Sequence, residues 1–316
     1  MKMFTVKIAL HLMPWEIDYA MMSFIKLRKS YYRLPPDIKI QFDCVLNVSD
    51  YVIDWNSSKL PKTFFIEKFN QIKSLMDCFD ITRYDVVDFS DKLYGHLDLQ
   101  KESISSEVDG YIYFCPDRNF DDTTLAHMCL AARTIPEKYF VMVTEIYKGW
   151  DNTWDVVSSK KYETIKHSDW NKESPFKVEV ENEMNDITAE SMSFVKFAGW
   201  FDYYSKDFIN TLVKVPEEWS GYGPWDVYAM KLASILSFKN ESLGISQYIL
   251  RGKVIHSAET ESMPNGFSGY YKTLLFDGDT NKNDQLKIEQ RNKIDASIFE
   301  NIQKVISDYD SGKLLL

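Results

Sequence analysis

At 316 residues the chain is long enough for one large α/β domain or two small ones. A composition of 45% hydrophobic and 27% charged residues excludes a disordered or fibrous chain, and no stretch approaches the ~20 apolar residues of a membrane span. The net charge of −10 and the lack of a long basic run argue against non-specific nucleic-acid binding. Aromatics reach 15%, enough to build a core and still supply surfaces that stack on sugars or bases. Cys44, Cys78, Cys115 and Cys129 show no C-x-x-C spacing, and three of them lie in apolar contexts, so buried free thiols in a reducing, cytoplasmic setting are expected. The first residues, "MKMFTVKIALHLMPW", hold only a short apolar run before a proline, which predicts no secretory leader.

In chain order, "FTVKIAL" (4–10) reads as a strand. The next segment carries Ile17, Met21, Phe24 and Leu27 at helical spacing, and "LPP" (34–36) stops it. Its basic stretch "KLRKSYYR" (26–33) reads as the solvated end of that helix. "IKIQFDCVL" alternates with Ile38, Ile40, Phe42, Cys44 and Leu46 on one face, a strand. A second helix carries Phe65, Phe69, Ile72 and Met76, and "YDVVDF" is a third strand. The segment 91–104 is expected to be helical, and "DGYIYFCPD" (109–117) is an apolar strand that ends in a proline and an acid. Strands alternating with helices imply a mostly parallel, doubly wound sheet, with ligands outside the carboxyl ends of the strands. Three strand ends are therefore candidate site positions: residues 11–15, 47–50 and 115–119.

The second half is less regular. After a strand at 138–147, residues 149–191 are polar and contain Trp150, Trp154 and Trp170. A strand is expected at 192–201, a late strand pair or hairpin at 247–257, a loop or lid at 258–283, and an amphipathic helix at 294–309 with Ile298, Ile302 and Ile306 in register.

Two constellations carry chemistry. In "DGYIYFCPDRNFDDTTLAHMCLAA" (109–132) a buried strand delivers Asp117 to the sheet edge, and a helix opens after Asp122, an expected N-cap. A carboxylate there can hold Mg²⁺ or Mn²⁺ against a diphosphate, since such cations take only one or two protein carboxylates; it can equally be a turn aspartate satisfying local N–H groups. In "WSGYGPWDVYAMKLASIL" (219–236), Gly223 and Pro224 form a helix entrance and Asp226 sits in the first turn. That acid complements the helix dipole whether or not it has a function.

The order of these features resembles the GT-A-fold glycosyltransferases, especially the family 2-like group that uses nucleotide-sugar donors. "FCPD" stands at the place of the D-x-D-type metal motif, "FAGWFDYYSKDF" (197–208) at that of the small-residue strand, and "GYGPWD" (221–226) at that of the turn opening the catalytic helix. The likeness spans residues 2–257 as order and local pattern. Two positions depart from it: Cys115 replaces the first acid of the metal motif, and Trp225 the first acid of the later pair. The resemblance implies a Rossmann-like, mostly parallel sheet flanked by helices, with a nucleotide-sugar half (1–147), an acceptor half (148–257) and a C-terminal loop and helix (258–316) packing on the 1–257 domain. It implies donor contacts from His11, Met13, Pro14, Asn47, Tyr94, Gly95 and Asp117, and Mn²⁺ or Mg²⁺ on Asp117 and His256. Acceptor contacts would come from Trp150, Gly199, Trp200, Trp219, Tyr222, Gly223 and Trp225, with Asp226 as the general base of an inverting transfer to a hydroxyl acceptor. A retaining enzyme would need no such base. A non-catalytic sugar- or nucleotide-binding protein on a decayed GT-A fold is the alternative. A nucleotidyltransferase would be expected to carry a Gly-rich, basic loop after the first strand, which "HLMPWEID" is not.

Overall fold

The computed structural model describes residues 2–89, 96–105, 107–136, 138–146, 173–179, 187–192, 201–212, 245–257, 267–276, 304, 307–308 and 311–313. Its strands are β1 (Phe4–Leu12), β2 (Ile38–Asn47), β3 (Asp80–Val87), β4 (Gly110–Phe114), β5 (Arg118–Asn119), β6 (Tyr139–Ile146), β7 (Glu173–Glu179), β8 (Thr188–Met192), β9 (Phe201–Ser205) and β10 (Ile245–Ser257). The helices are α1 (Ile17–Tyr31), α2 (Lys62–Ile72), α3 (His96–Ser103), α4 (Thr124–Thr134), α5 (Lys206–Leu212) and α6 (Phe267–Leu275). The sheet order is β3-β2-β1-β4-β9-β6-β10-β8-β7, with β5 paired to β10. Pairs β3/β2, β2/β1, β1/β4 and β6/β10 are parallel, whereas β9 runs antiparallel between β4 and β6. On the main path only β8 and β9 oppose the rest. This is the α/β class expected from the sequence: a mostly parallel sheet with flanking helices.

The two faces of β1 and β2 differ in chemistry. Phe4 pairs with Ile38 and the register continues to Leu12 opposite Leu46, so the alternating apolar residues of both strands share one face. Val6, Ile8, Leu10 and Leu12 join Ile38, Ile40, Phe42, Cys44 and Leu46 there in the main core. Helix α1 covers it with Ile17, Ala20, Phe24 and Leu27, and Phe24 meets Phe42 edge-on at 5.4 Å. Met21, expected in this stripe, is 40% exposed, because Ala20 takes the buried position. From α2 come Phe65, Phe69 and Ile72, with Met76 from the 3-10 turn that follows.

The opposite face has a small apolar cluster of Ala9, Val45 and Leu99 beside a buried ion pair, Lys7 Nζ to Asp43 Oδ2 at 3.4 Å. Ser103 of α3 donates to the same carboxylate at 2.6 Å, and Thr82 donates to its other oxygen.

Several expectations are revised. Residues 267–275 lie in the expected loop but form α6, fixed to the first half by one polar cluster. Lys68 donates to Asp18 at 2.7 Å and to the Tyr271 hydroxyl at 2.6 Å, and Tyr271 donates to Asp18 at 2.8 Å. Phe276 packs against Trp15 with ring centroids 5.8 Å apart. The late hairpin is a single strand, β10, whose register against β6 shifts between Leu250 and Val254. Gly252 sits in this bulge at φ 72°, a conformation glycine adopts without steric cost. Of the expected strand at 192–201 only the two ends are described, Met192 closing β8 and Phe201 opening β9. The expected helix at 294–309 falls almost entirely outside the described residues. No helix among the described residues is long and apolar enough to cross a membrane.

The N-terminus of α4 is organised by Asp121 and not by Asp122. Asp121 Oδ1 accepts from the N–H and the hydroxyl of Thr123 at 2.8 and 2.5 Å, and its Oδ2 takes Lys253 of β10 at 2.9 Å. Asp122 instead faces Arg33 at 3.6 Å. Burial opposes ionisation of Asp121, but the Thr123 hydroxyl, Lys253 and the Thr123 N–H outweigh it and bring its pKa down to about 2. His127, one turn along α4, is held at about 4 by burial and by Lys253 and Arg33, with Asp121 opposing.

Two outcomes follow from this packing. A Cβ on Gly110 would lie 2.0 Å from the hydroxyl of Tyr203 and 2.2 Å from its Cζ, and that ring is buried and stacked on Phe140. Gly110→Ala is expected to cost about 1–3 kcal/mol by overpacking, read from the urea midpoint; an unchanged midpoint would mean that Tyr203 has room to move. The folded pKa of His127 lies below the unfolded value near 6.5. Its contribution to stability is therefore complete above about pH 6.5 and lost as pH falls to about 4. His127→Gln should flatten the fall in urea midpoint between pH 7 and pH 4.5; an equal fall in both proteins assigns the pH dependence to other groups.

Candidate functional site

Because β2, β1 and β4 are adjacent and parallel, their carboxyl ends lie side by side at one edge of the sheet. The three expected site segments, after β1, β2 and β4, therefore meet there. The turn after β1 is a 3-10 turn, Pro14–Glu16, closed by its own acid: Glu16 Oε2 accepts the Met13 N–H at 2.8 Å, and Glu16 N–H donates to Met13 O at 2.9 Å. Met13 is 0% exposed and belongs to the core, and Pro14 is buried. His11 is also fully buried, with its ring 5.8 Å from that of Phe89.

Asn47 ends β2. Its Oδ1 accepts the backbone N–H groups of Ser49 at 3.1 Å and Phe89 at 3.2 Å, tying the segments after β2 and β3 together. Ser49 Oγ adds a bond to Phe89 O at 3.0 Å and accepts from Tyr51 N–H at 3.1 Å. Ser49 lies in the expected segment 47–50, whereas sequence reasoning missed Phe89. Phe89 closes the "YDVVDF" strand pattern, and its position beside His11 depends on the parallel register of β2 and β3.

The segment after β4 carries Asp117, partly exposed and 3.5 Å from Arg118 Nε. Helix α1 pins this segment from the core side. Ser23 Oγ donates to Pro116 O at 3.0 Å, Lys26 donates to Asn119 Oδ1, and the Lys26 ammonium lies 5.7 Å from the Phe120 ring. The basic stretch 26–33 is thus not merely a solvated helix end: Arg28 pairs with Asp77 and Arg33 with Asp122. Cys115 lies 3.7 Å from the Tyr113 hydroxyl. Burial and the neighbouring Asp117 push its thiol far above the ordinary range, so it stays protonated and adds no charge in place of the missing acid.

β5 then pairs antiparallel with the end of β10, Asn119 opposite His256 and Arg118 opposite Ser257. The backbone of His256 thereby comes to the Asp117 segment, delivered by the bulge at Gly252 and the Lys253–Asp121 contact. Among the described residues no group of three or more His, Cys, Asp and Glu side chains is placed to hold a metal ion. One carboxylate with the His256 backbone nearby fits a cation shared with a diphosphate, not a closed protein cage. Sequence reasoning also missed Asp202, a buried acid on β9 opposite Tyr113 that accepts from the Tyr204 hydroxyl at 3.1 Å. Tyr94, Gly95, Trp150, Gly199, Trp200, Trp219, Tyr222, Gly223, Trp225 and Asp226 lie outside the described residues.

No family model and no curated protein matches the chain. Among solved structures it is similar to residues 1–349 of S. aureus TarS, at 12% identity and a TM-score of 0.43, covering 99% of this chain and 75% of that one. It is likewise similar to the same fragment in complex with UDP-GlcNAc, at 12% identity and a TM-score of 0.43, covering 91% and 71%. A longer TarS structure gives 11% identity and a TM-score of 0.43, covering 91% and 43%. Overlays at that level do not establish a shared fold, so the α/β assignment rests on the order and register of the sheet itself.

Proposed function

We propose that the chain is a cation-assisted glycosyltransferase that moves a sugar from a nucleotide-sugar donor to a hydroxyl acceptor. The observation that carries this reading is the meeting of four segments at one sheet edge: those after β1, β2 and β4, and the end of β10 paired to β5. A donor has a nucleoside, a diphosphate and a sugar to be held, and the following assignment is the one we propose. His11 and Asn47, with the turn at Met13 and Pro14, would hold the base and ribose. Tyr94 and Gly95 would lie towards the diphosphate or donor sugar, and Asp117 and His256 would hold Mn²⁺ or Mg²⁺. Such a cation, when bound, supplies positive charge against the departing diphosphate. Trp150, Gly199, Trp200, Trp219, Tyr222, Gly223 and Trp225 would shape the acceptor side. Asp226 would take the proton of the acceptor hydroxyl as its oxygen attacks the anomeric carbon and the bond to the diphosphate breaks, with inversion. The protonated thiol of Cys115 favours one other reading, a sugar- or nucleotide-binding protein without transfer activity.

Isothermal titration with UDP-, GDP-, CMP- and dTDP-sugars, with and without Mn²⁺, tests the reading; UDP-GlcNAc, held by one of the similar structures, comes first. Mn²⁺ should tighten binding of one donor, and Asp117→Ala should remove that gain while the melting temperature holds. Metal-independent binding by the unaltered protein would dismiss Asp117 as a ligand. For the proton acceptor, Asp226→Asn should lower turnover by about 10²–10⁴-fold and leave donor affinity nearly constant. Normal transfer by this variant would leave a retaining mechanism or a different base.

A further inference from the structure

We infer that Arg118 is a second holder of the donor's diphosphate, beside the cation assigned to Asp117; the inference rests on the nucleotide-sugar reading above. Residues 115–118 form one hydrogen-bonded turn, closed by the Arg118 N–H donating to Cys115 O at 3.2 Å. Pro116 takes the second position, where its fixed φ suits such a turn. The Ser23 hydroxyl pins the Pro116 carbonyl at 3.0 Å, and Lys26 holds Asn119 just beyond. On the far side β5 pairs with β10, Arg118 opposite Ser257. The turn therefore presents an acid and a guanidinium from adjacent positions, on a backbone held from both sides, where β4 ends beside β1.

These two side chains are not built as a closed ion pair. Arg118 meets Asp117 through Nε at 3.5 Å, longer than the about 2.7–2.9 Å of a charge-assisted bond. Arg133 shows a closed pair in this fold, its Nη1 reaching both oxygens of Asp37 at 2.9 and 2.8 Å. Arg118 and Asp117 keep 20% and 23% of their side chains exposed, so a ligand can reach both. Cys115 behind them adds no charge, and Glu16, the other acid within electrostatic reach of that thiol, is engaged by the Met13 N–H. Mn²⁺ on one carboxylate leaves a single net positive charge, and a departing nucleoside diphosphate carries more than that in negative charge. A guanidinium supplies the remainder: it stays charged at any working pH and offers paired, planar donors to phosphate oxygens.

With the full chain and Mn²⁺, titration of UDP, GDP, CDP and ADP identifies the best-bound nucleotide. Arg118→Gln should weaken its binding about tenfold or more and leave that of its nucleoside unchanged. The gain in affinity from Mn²⁺ should persist in Arg118→Gln, since Asp117 is untouched. Equal or tighter nucleotide binding by Arg118→Gln overturns the inference: an arginine that only neutralises Asp117 would, once removed, leave that acid a better ligand for Mn²⁺. Loss of the Mn²⁺ gain together with the affinity also overturns it, because Arg118 would then act only by positioning Asp117. Either result leaves the glycosyltransferase reading standing. If the unaltered protein binds none of the four nucleotides, that reading falls and the inference falls with it. Should Arg118→Gln fail to fold, the arginine reagent phenylglyoxal tests the unaltered protein, read by peptide mass spectrometry. The best-bound nucleotide with Mn²⁺ should slow modification of Arg118 several-fold; an unchanged rate, or no modification in the free protein, overturns the inference.

Discussion

Parallel pairing of β1 with β2 on one side and β4 on the other makes three segments leave the sheet at the same edge. A parallel neighbour can be reached only by a crossover, so each strand's exit is separated in sequence from the next by a helix or long connection. Everything proposed for the site depends on this constraint: residues 11, 47 and 117 are far apart in the chain and come together because their strands point one way. Strand β10 joins the same edge by running parallel to β6 and then bending at Gly252 to reach β5.

The same strands separate core from chemistry by alternation. One face of β1 and β2 is apolar from end to end and is covered by α1 and α2. The other carries Lys7, Ala9 and His11 on β1 beside Asp43, Val45 and Asn47 on β2. A buried ion pair on that face needs further hydrogen bonds to offset its desolvation cost, and Asp43 gains two, from Ser103 and Thr82. The polar row ends at His11 and Asn47, so the face least suited to be core is the one that reaches the candidate donor site.

Strand periodicity was the most legible part of the sequence. The alternation of residues 38–46 identified both β2 and its core face, and the order of strands and helices was enough for the α/β class. Helix stripes were readable to within one residue, as the exchange of Met21 for Ala20 shows, because neighbouring positions on α1 differ by a rotation of the whole helix. The three edge segments could be named since each follows an apolar strand. What could not be read depended on contacts distant in sequence. Asp121 displaced Asp122 at the entry to α4 because Lys253 lies beside it. Gly252 became a bulge and not a hairpin turn because β6 supplied a parallel partner on both sides of it. Phe89 joined the site through Asn47, and α6 formed where composition suggested a loop because Asp18 and Lys68 were there to receive Tyr271.

Strand β9 has a consequence for how the sheet assembles. It lies between β4 and β6 but comes after both in the chain, and β10, the other neighbour of β6, comes later still. β1 to β4 can pair among themselves once residue 114 is available, whereas β6 has no adjacent partner until residues 201–205 arrive. Until then β4 has one unpaired edge and β6 has two, each a template for another chain. Contacts at such sequence separation slow folding and lengthen that interval. The nascent chain thus spends about ninety residues of synthesis, from β4 to β9, with an apolar strand edge open, the period in which a growing α/β protein is most prone to associate with its own copies.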